Sequence, residues 1–202
     1  MIVLSGGIGS GKSVVAGILR LEGYGVFDCD YEAKEMMHND PNLVKTIKGI
    51  VGDDIYDASG LLDKKKLASL IYTDASVRNT LNEVVHSQVR QKIREWLAET
   101  PKNIFVESAI AVQSGLAAMA RGIWIVSASI PVRIARVKCR DGRNHDEIER
   151  IILAQAEEER LTVDFKGKVT VIDNDGSIPL LPQIFSALNA ANIPLLHNQE
   201  TT

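Results

Sequence analysis

Short apolar runs alternate along the chain with longer segments of helical periodicity. Each run has the continuous hydrophobic character of a strand that is buried on both faces of a sheet. Strands that alternate with helices predict a parallel sheet with helices on both faces. We therefore predict an α/β fold with a five-stranded parallel sheet, whose strands cover residues 2–4, 24–27, 103–106, 122–126 and 169–172.

Residues 41–97 interrupt this alternation because they contain no strand-like run. One helix is indicated by Leu43 and Ile47, and a second by Leu67 and Leu70. A third, long helix is indicated by apolar residues four positions apart, which are Leu81, Val85, Val89, Ile93 and Leu97. We predict a helical subdomain over 40–98, inserted into a core made of 1–39 and 99–202.

The first strand is followed at once by a glycine-rich segment and then by a helix. Residues 6–13 read G-x-x-x-x-G-K-S, and this strand, loop and helix context is that of a phosphate-binding P-loop. Glycines let backbone N–H groups approach phosphate oxygens, and the helix N-terminus adds a partial positive charge. Lys12 is predicted to reach the β- and γ-phosphates, and the Ser13 hydroxyl to ligate Mg²⁺.

The chain is therefore predicted to bind a nucleoside triphosphate. A glycine-rich turn that merely caps an ordinary helix is the alternative, but such a turn has no use for a lysine and four glycines at this register. The predicted nucleotide-binding residues of this segment are Gly7, Ile8, Gly9, Ser10, Gly11, Lys12 and Ser13.

Composition and charge are those of an ordinary globular domain. The 202 residues are 45% hydrophobic and 24% charged, and the formal net charge of −3 gives no reason to expect nucleic acid or an anionic membrane as a partner. Cys29 and Cys139 fit a reducing cytosol better than a disulfide framework. The start has no basic segment, and no apolar stretch could cross a bilayer. We expect a soluble, cytoplasmic chain that is a monomer or a weak homo-oligomer.

Acidic residues follow two of the predicted strands. Asp28 and Asp30 come after strand two, and Glu107 after strand three. Ligands of open parallel sheets bind at the carboxyl ends of the strands, where carboxylates suit metal coordination and a base for an attacking hydroxyl. The alternative for Asp30 is the N-cap of a helix that begins at Tyr31, a role that is compatible with the first. Glu107 could contact Mg²⁺ through water or could merely begin a turn.

Four arginines follow strand four at steps of three, four and three, so a helix would present them on one face. The face carries Arg133, Arg136, Arg140 and Arg143 and leads into a polar turn that contains Gly142. A charged stripe is usually a solvated face. In a phosphoryl-transfer enzyme, a helical hairpin of this kind can act as a lid whose arginines close on the phosphates. We place this lid at about residues 133–160.

Two further polar residues are candidates for ligand contacts. His86 lies one position off the apolar stripe of its helix, on a face shared with Arg90, Asn82 and Asn79; a lone helical histidine is more often a surface or satisfied residue. Asn174 follows strand five, and its amide offers a donor and an acceptor that suit an adenine edge, although turns also favour asparagine.

Three classes of function use a P-loop: a small-molecule kinase, a switch GTPase and a nucleotide-dependent assembly module. A switch GTPase needs an Asn-Lys-x-Asp loop and an Asp-x-x-Gly segment after strand three, and neither is present. An assembly module has little use for both a helical insertion and an arginine hairpin. A kinase uses the first to bind the acceptor and the second as a lid.

The P-loop, the Phe27-Asp28-Cys29-Asp30 segment and the helical insertion resemble the dephospho-CoA kinase family. The likeness continues in the same order through segments 85–90, 140–142 and 172–176, and through Arg136, Arg150 and Gln155. The chain departs from the family pattern at Ser87, where the family has proline. It also departs at 107–111, which read E-S-A-I-A in place of Asp-x-Pro-Leu-Leu. The Ala-Asp pair that is common in the family before strand five is absent, and Lys168-Val169 lies nearby instead.

The resemblance implies a P-loop kinase fold and transfer of the γ-phosphoryl group of ATP, with Mg²⁺, to the 3′-hydroxyl of dephospho-CoA. This reaction is the last step of coenzyme A biosynthesis. Another P-loop small-molecule kinase or a nucleoside monophosphate kinase is the alternative, and a non-catalytic switch module is a more distant one.

The resemblance also assigns roles to individual residues. Asp30 corresponds to the catalytic aspartate that orients the acceptor hydroxyl or accepts its proton, and Lys12 to the lysine that holds the β- and γ-phosphates. Arg136 and Arg140 belong to the lid. Of the remaining residues, the acceptor side contains His86 and Arg90, and the adenine side contains Asn174.

Overall fold

The computed structural model describes residues 1–163 and 165–196. Residues 197–202 are polar, and the sequence predicts that they form a frayed tail; they lie outside the described residues. The strands are β1 (Ile2–Ser5), β2 (Gly25–Asp28), β3 (Asn103–Glu107), β4 (Gly122–Ser127) and β5 (Lys168–Asp173). The helices are α1 (Lys12–Leu21), α2 (Cys29–Asn39), α3 (Pro41–Val51), α4 (Lys64–Thr73), α5 (Ala75–Glu99), α6 (Ile130–Asp141), α7 (His145–Val163) and α8 (Leu180–Ala190).

The strands form one five-stranded sheet in the order β2-β3-β1-β4-β5. β1 pairs in parallel with β3 and with β4, and β4 pairs in parallel with β5. The predicted five-stranded parallel sheet is confirmed, and each predicted strand agrees with the observed one to within one residue at each end. This order places the P-loop, which follows β1, after the central strand of the sheet.

A continuous apolar cluster packs α1 and α8 against the sheet. Val15 and Leu19 of α1 and Ile184 of α8 contribute to it, as do residues of β1, β3 and β4. The Phe105 ring lies 5.1 Å from the Trp124 ring, measured between centroids, and buried aromatic side chains contribute large apolar areas. Because this cluster is buried, it fixes both ends of the P-loop, one in β1 and the other in α1.

Aspartates cap the four helices α2 to α5, and Asp74 does so for α5 by accepting the N–H groups of Ser76 and Val77. The Asp28 carboxylate accepts the N–H of Tyr31 at 3.0 Å, and Asp40 and Asp63 cap α3 and α4 in the same way. A cap of this kind satisfies N–H groups that have no partner within the helix. The alternative reading of Asp30 as the N-cap is therefore wrong, because α2 begins at Cys29 and Asp30 lies in its first turn.

The chain divides into two compact units, one made of 1–27 with 97–202 and the other of 28–96. The smaller unit contains α2 to α5, and the α5 residues that are buried include four of the predicted stripe: Leu81, Val85, Val89 and Ile93. In the larger unit, α6 and α7 form a helical hairpin around a cluster of Val137, Ile148 and Ile152. None of the helices in the described ranges has both the length and the apolar character to span a membrane.

Candidate active site

The glycine-rich segment ends in an uncapped helix N-terminus. Gly11 has a φ of 96° and precedes α1, whose first turn receives no capping hydrogen bond from a described side chain and contains no acidic residue. A Cβ on Gly11 would lie 2.0 Å from the Asn174 amide nitrogen, so the position excludes a side chain. The helices α2, α3 and α4 each have an aspartate cap, and α1 has none. The N–H groups at the N-terminus of α1 are therefore suited to a bound anion.

Side chains from two other segments hold three consecutive P-loop carbonyls. Arg133 Nε donates to the Ile8 carbonyl at 2.9 Å, and Arg136 Nη1 lies 3.4 Å and 3.5 Å from the Gly9 and Ser10 carbonyls. Asn174 Nδ2 donates to the Ser10 carbonyl at 2.7 Å. Because the C=O and N–H of a planar peptide point in opposite directions, these contacts turn the N–H groups of the same peptides to the other side of the loop.

Lys12 and Ser13 follow the loop directly. Lys12 Nζ donates to the Gly6 carbonyl at 2.5 Å and to the Gly7 carbonyl at 3.5 Å, while Ser13 is exposed. Among the described residues, no cluster of three histidine, cysteine or acidic side chains could hold a metal ion. A Mg²⁺ site built from one hydroxyl, phosphate oxygens and water needs no such cluster, so the exposed Ser13 hydroxyl fits as a single ligand of that ion.

The loop after β5 connects α6 to the P-loop. The Asn174 N–H donates to the Ser127 carbonyl at 2.8 Å, and the Asn174 carbonyl accepts Arg136 Nη2 at 2.7 Å. Asp175 accepts the Ser129 N–H at 2.7 Å, and this hydrogen bond lowers the pKa of its carboxyl group. The predicted nucleotide residue Asn174 and the predicted lid residue Arg136 therefore meet at the P-loop.

The four arginines of α6 and the following turn have different environments. Arg133 is buried, with 6% of its surface exposed, and its Nη2 lies 2.9 Å from Glu159 Oε1. Arg140 is exposed and makes two bonds with Asp141, of 2.6 Å and 2.9 Å, which lower the pKa of that carboxyl group. Arg143 also lies beside Asp141, at 3.7 Å. The solvated-face reading is wrong for Arg133 and fits Arg140 and Arg143.

Three α7 residues that sequence reasoning did not place in the site contact it or its surroundings. Gln155 Oε1 accepts the Ile8 N–H at 2.7 Å, and Glu159 pairs with Arg133. Glu158 is 2% exposed and accepts the N–H groups of two residues after β3, Val112 and Gln113. Of the three, only Gln155 had a signal in the sequence, which was its place in the family pattern. The other two had none, because their partners are distant in the chain.

The remaining predicted residues lie on the unit made of 28–96, apart from Glu107 at the end of β3. Asp30 is exposed in the first turn of α2. His86 is half-buried on α5, and burial, with a smaller effect from Arg90, lowers its pKa. Arg90 Nη2 lies 3.1 Å from Glu83 Oε1. α5 therefore brings His86 and Arg90 onto one face, as its periodicity predicted.

Comparison with known proteins assigns this chain a family. Residues 1–179 match the dephospho-CoA kinase family. A dephospho-CoA kinase of Bacteroides fragilis is 33% identical over 189 residues, which are 93% of this chain and 90% of that protein. A dephospho-CoA kinase of Geobacter sulfurreducens is 31% identical over 199 residues, covering 96% of this chain and 99% of the relative.

Solved structures agree in fold. The Thermus thermophilus protein TT1252 superposes with a TM-score of 0.75 at 31% identity, over 95% of each chain. A dephospho-CoA kinase from Campylobacter jejuni gives a TM-score of 0.65 at 18% identity, over 94% of this chain and 96% of that one. A shikimate kinase from Bacteroides thetaiotaomicron gives 0.51 at 15% identity, over 95% of each chain. The last two likenesses concern the fold alone, which is that of the P-loop kinases.

Proposed function

The chain belongs to the dephospho-CoA kinase family, and on that premise we propose that it transfers the γ-phosphoryl group of ATP to the 3′-hydroxyl of dephospho-CoA to give coenzyme A. The observation that carries the proposal is the family match over residues 1–179, a range that includes the P-loop, the helical insertion and the arginine hairpin. We expect a cytoplasmic enzyme that is a monomer or a weak homo-oligomer, with no nucleic acid or membrane as a partner.

The P-loop is proposed to bind the triphosphate of ATP. Its backbone N–H groups and the start of α1 offer positive dipole ends to the phosphates. Lys12 is then expected to exchange the Gly6 and Gly7 carbonyls, which it contacts now, for the β- and γ-phosphate oxygens. The Ser13 hydroxyl would hold Mg²⁺, which supplies charge neutralisation of the phosphates when it is bound.

Asp30 is proposed to orient the acceptor hydroxyl and to accept its proton. Its position in the first turn of α2, exposed and not used as a helix cap, leaves its carboxylate available for this role. A base must come within hydrogen-bond distance of the proton it removes. His86 and Arg90, which share a face of α5, are proposed to bind the acceptor on the same unit of the chain.

Arg136 and Arg140 are proposed to stabilise the charge on the transferred phosphoryl group. The contacts of Arg136 Nη1 with the Gly9 and Ser10 carbonyls are long, at 3.4 Å and 3.5 Å, so this nitrogen can turn to a phosphate while Nη2 keeps its bond to the Asn174 carbonyl. Arg140 would have to leave Asp141. Asn174 is proposed to lie near the adenine of ATP.

Closure of the α6–α7 hairpin is proposed to complete the site. The buried Arg133 and the α7 residues Gln155 and Glu158 tie the base of the hairpin to the P-loop and to the segment after β3. We therefore propose that the closing movement is confined to the exposed tip, about residues 138–150, rather than involving the whole of 133–160.

A coupled assay of ADP release tests the proposed acceptor directly. The chain would be assayed with ATP and one acceptor at a time: dephospho-CoA, adenosine, shikimate and a series of nucleoside monophosphates. We expect acceptor-dependent ADP release with dephospho-CoA, and Lys12→Ala as a control that abolishes it. Preferred turnover of shikimate or of a nucleoside monophosphate would overturn the assignment and leave another P-loop small-molecule kinase.

A further inference from the structure

The Gly7–Ile8 peptide is held from outside the P-loop by a side chain of α7. The Ile8 N–H donates to Gln155 Oε1 at 2.7 Å, and on the other side of this peptide the Gly7 carbonyl accepts the Ser10 N–H at 3.2 Å. Both polar groups of one peptide are thus bonded, so the peptide cannot rotate without breaking a contact. The contact to the N–H comes from a residue 147 positions away in the chain.

The carbonyl of Ile8 is held by a second, buried group. Arg133 Nε donates to it at 2.9 Å, and the guanidinium is paired in turn with Glu159 at 2.9 Å. Gln155 and Glu159 are four positions apart on α7 and therefore lie on one face of that helix. A single face of α7 thus contacts both polar groups of Ile8. Gln155 bonds the N–H directly, and Glu159 pairs with the arginine that bonds the carbonyl.

The packing around Gly7 shows how closely this support fits. A Cβ on Gly7 would lie 1.9 Å from Arg133 Nη2 and 2.1 Å from Glu159 Oε1. A side chain on Gly7 would therefore displace Arg133 and Glu159 from the positions in which they support the loop. Because Arg133 and Glu159 pack so closely against the backbone at Gly7, they fix the orientation of this part of the P-loop.

We propose that Gln155 is a positioning residue for nucleotide binding, because its hydrogen bond to Ile8 keeps the P-loop in the conformation that receives the phosphates. The inference rests on the proposed nucleotide binding at the P-loop but is independent of the identity of the acceptor. Loss of one such hydrogen bond should weaken ATP binding by about fivefold to tenfold. The affinity for the acceptor should stay within twofold, because Gln155 orients only the P-loop.

Two variants of Gln155 separate the hydrogen bond from side-chain volume. Gln155→Met keeps the length of the side chain and removes the acceptor, whereas Gln155→Glu keeps an acceptor oxygen. Glu157→Ala is the matched control, since Glu157 is exposed on the same helix. ATP affinity would be measured by titration without acceptor, dephospho-CoA affinity separately, and exchange of the Ile8 amide hydrogen by NMR.

The proposal expects faster Ile8 exchange and weaker ATP binding in Gln155→Met, retained Ile8 protection in Gln155→Glu, and neither change in Glu157→Ala. Unchanged ATP affinity in Gln155→Met would overturn it, as would an equal loss of affinity for ATP and dephospho-CoA. A further test uses the unaltered chain. If its Ile8 amide hydrogen exchanged at the rate of an unprotected amide, the proposal would also be overturned. A chain that binds ATP but does not phosphorylate dephospho-CoA would refute the proposed function alone.

Discussion

Removal of the Glu158 carboxylate should destabilise the fold by an amount that the structure allows us to estimate. Glu158 Oε1 accepts the Val112 N–H at 2.7 Å, and Oε2 accepts the Gln113 N–H at 3.0 Å. Glu158→Ala would remove both acceptors from a residue that is 2% exposed. The change would leave α7 without its bonds to the segment that follows β3.

The two lost bonds to backbone N–H groups should not count equally. A third contact, from the Thr162 hydroxyl to Oε1 at 3.3 Å, adds little because that hydroxyl keeps its 2.7 Å bond to the Glu158 carbonyl. A hydrogen bond to a charged group contributes about 1.5–3 kcal/mol. Gln113 is exposed, so water can replace its partner, whereas Val112 is half-buried and would lose most of its bond. Relief of the buried charge offsets part of the loss, and we expect a decrease in the free energy of unfolding of about 2–3 kcal/mol. For a chain of this length, that decrease lowers the melting temperature by about 4–12 °C.

Urea unfolding followed by circular dichroism measures this change, with Glu157→Ala as the control. Glu157 is exposed on the same helix, so its replacement should alter the free energy of unfolding by less than about 0.5 kcal/mol. Glu158→Gln keeps one acceptor oxygen and should lie between the two. Equal stability of Glu158→Ala and Glu157→Ala would contradict this expectation, since the carboxylate would then contribute no net stabilisation.

Three other substitutions test separate parts of the account. Asp30→Asn should leave ATP affinity nearly intact and lower kcat by about 10²-fold or more, and unchanged turnover would refute the role of Asp30. Gly7→Ala should displace Arg133 and lower the free energy of unfolding by about 1–3 kcal/mol, an expectation that a wild-type urea midpoint would contradict. Burial lowers the pKa of His86, so the native state resists its protonation and should lose stability as pH falls through 6.5 and below. His86→Gln should reduce this loss between pH 7.5 and 5.5. Identical profiles of unfolding free energy against pH in the two chains would exclude the effect.

Much of the fold could be predicted from the sequence because its signals are local. Each strand is a continuous apolar run, and the four-residue spacing from Leu81 to Ile93 marks the buried face of α5. The P-loop was identifiable because its glycines, lysine and flanking elements lie together in the chain. These features need no knowledge of distant contacts.

The parts that could not be predicted depend on long-range packing. Arg133 belongs to a stripe of four arginines, and only the fold shows that it is buried against Glu159 while Arg140 is exposed. Gln155 and Glu158 look like ordinary polar residues of a helix, and their N–H partners are 147 and 46 positions away. The alternative N-cap of α2, Asp30, lies two residues after the observed cap, Asp28, because the two aspartates are equally good capping residues in isolation.

Identification of the reaction product is the most direct test of the proposed activity. The chain would be incubated with dephospho-CoA, Mg²⁺ and ATP labelled in its γ-phosphate, and the products would be separated and digested with a 3′-nucleotidase. We expect the label to appear in coenzyme A and the nucleotidase to release it as inorganic phosphate. Label that is found only in free phosphate before digestion, or on any position other than the 3′-hydroxyl, would contradict the proposed activity.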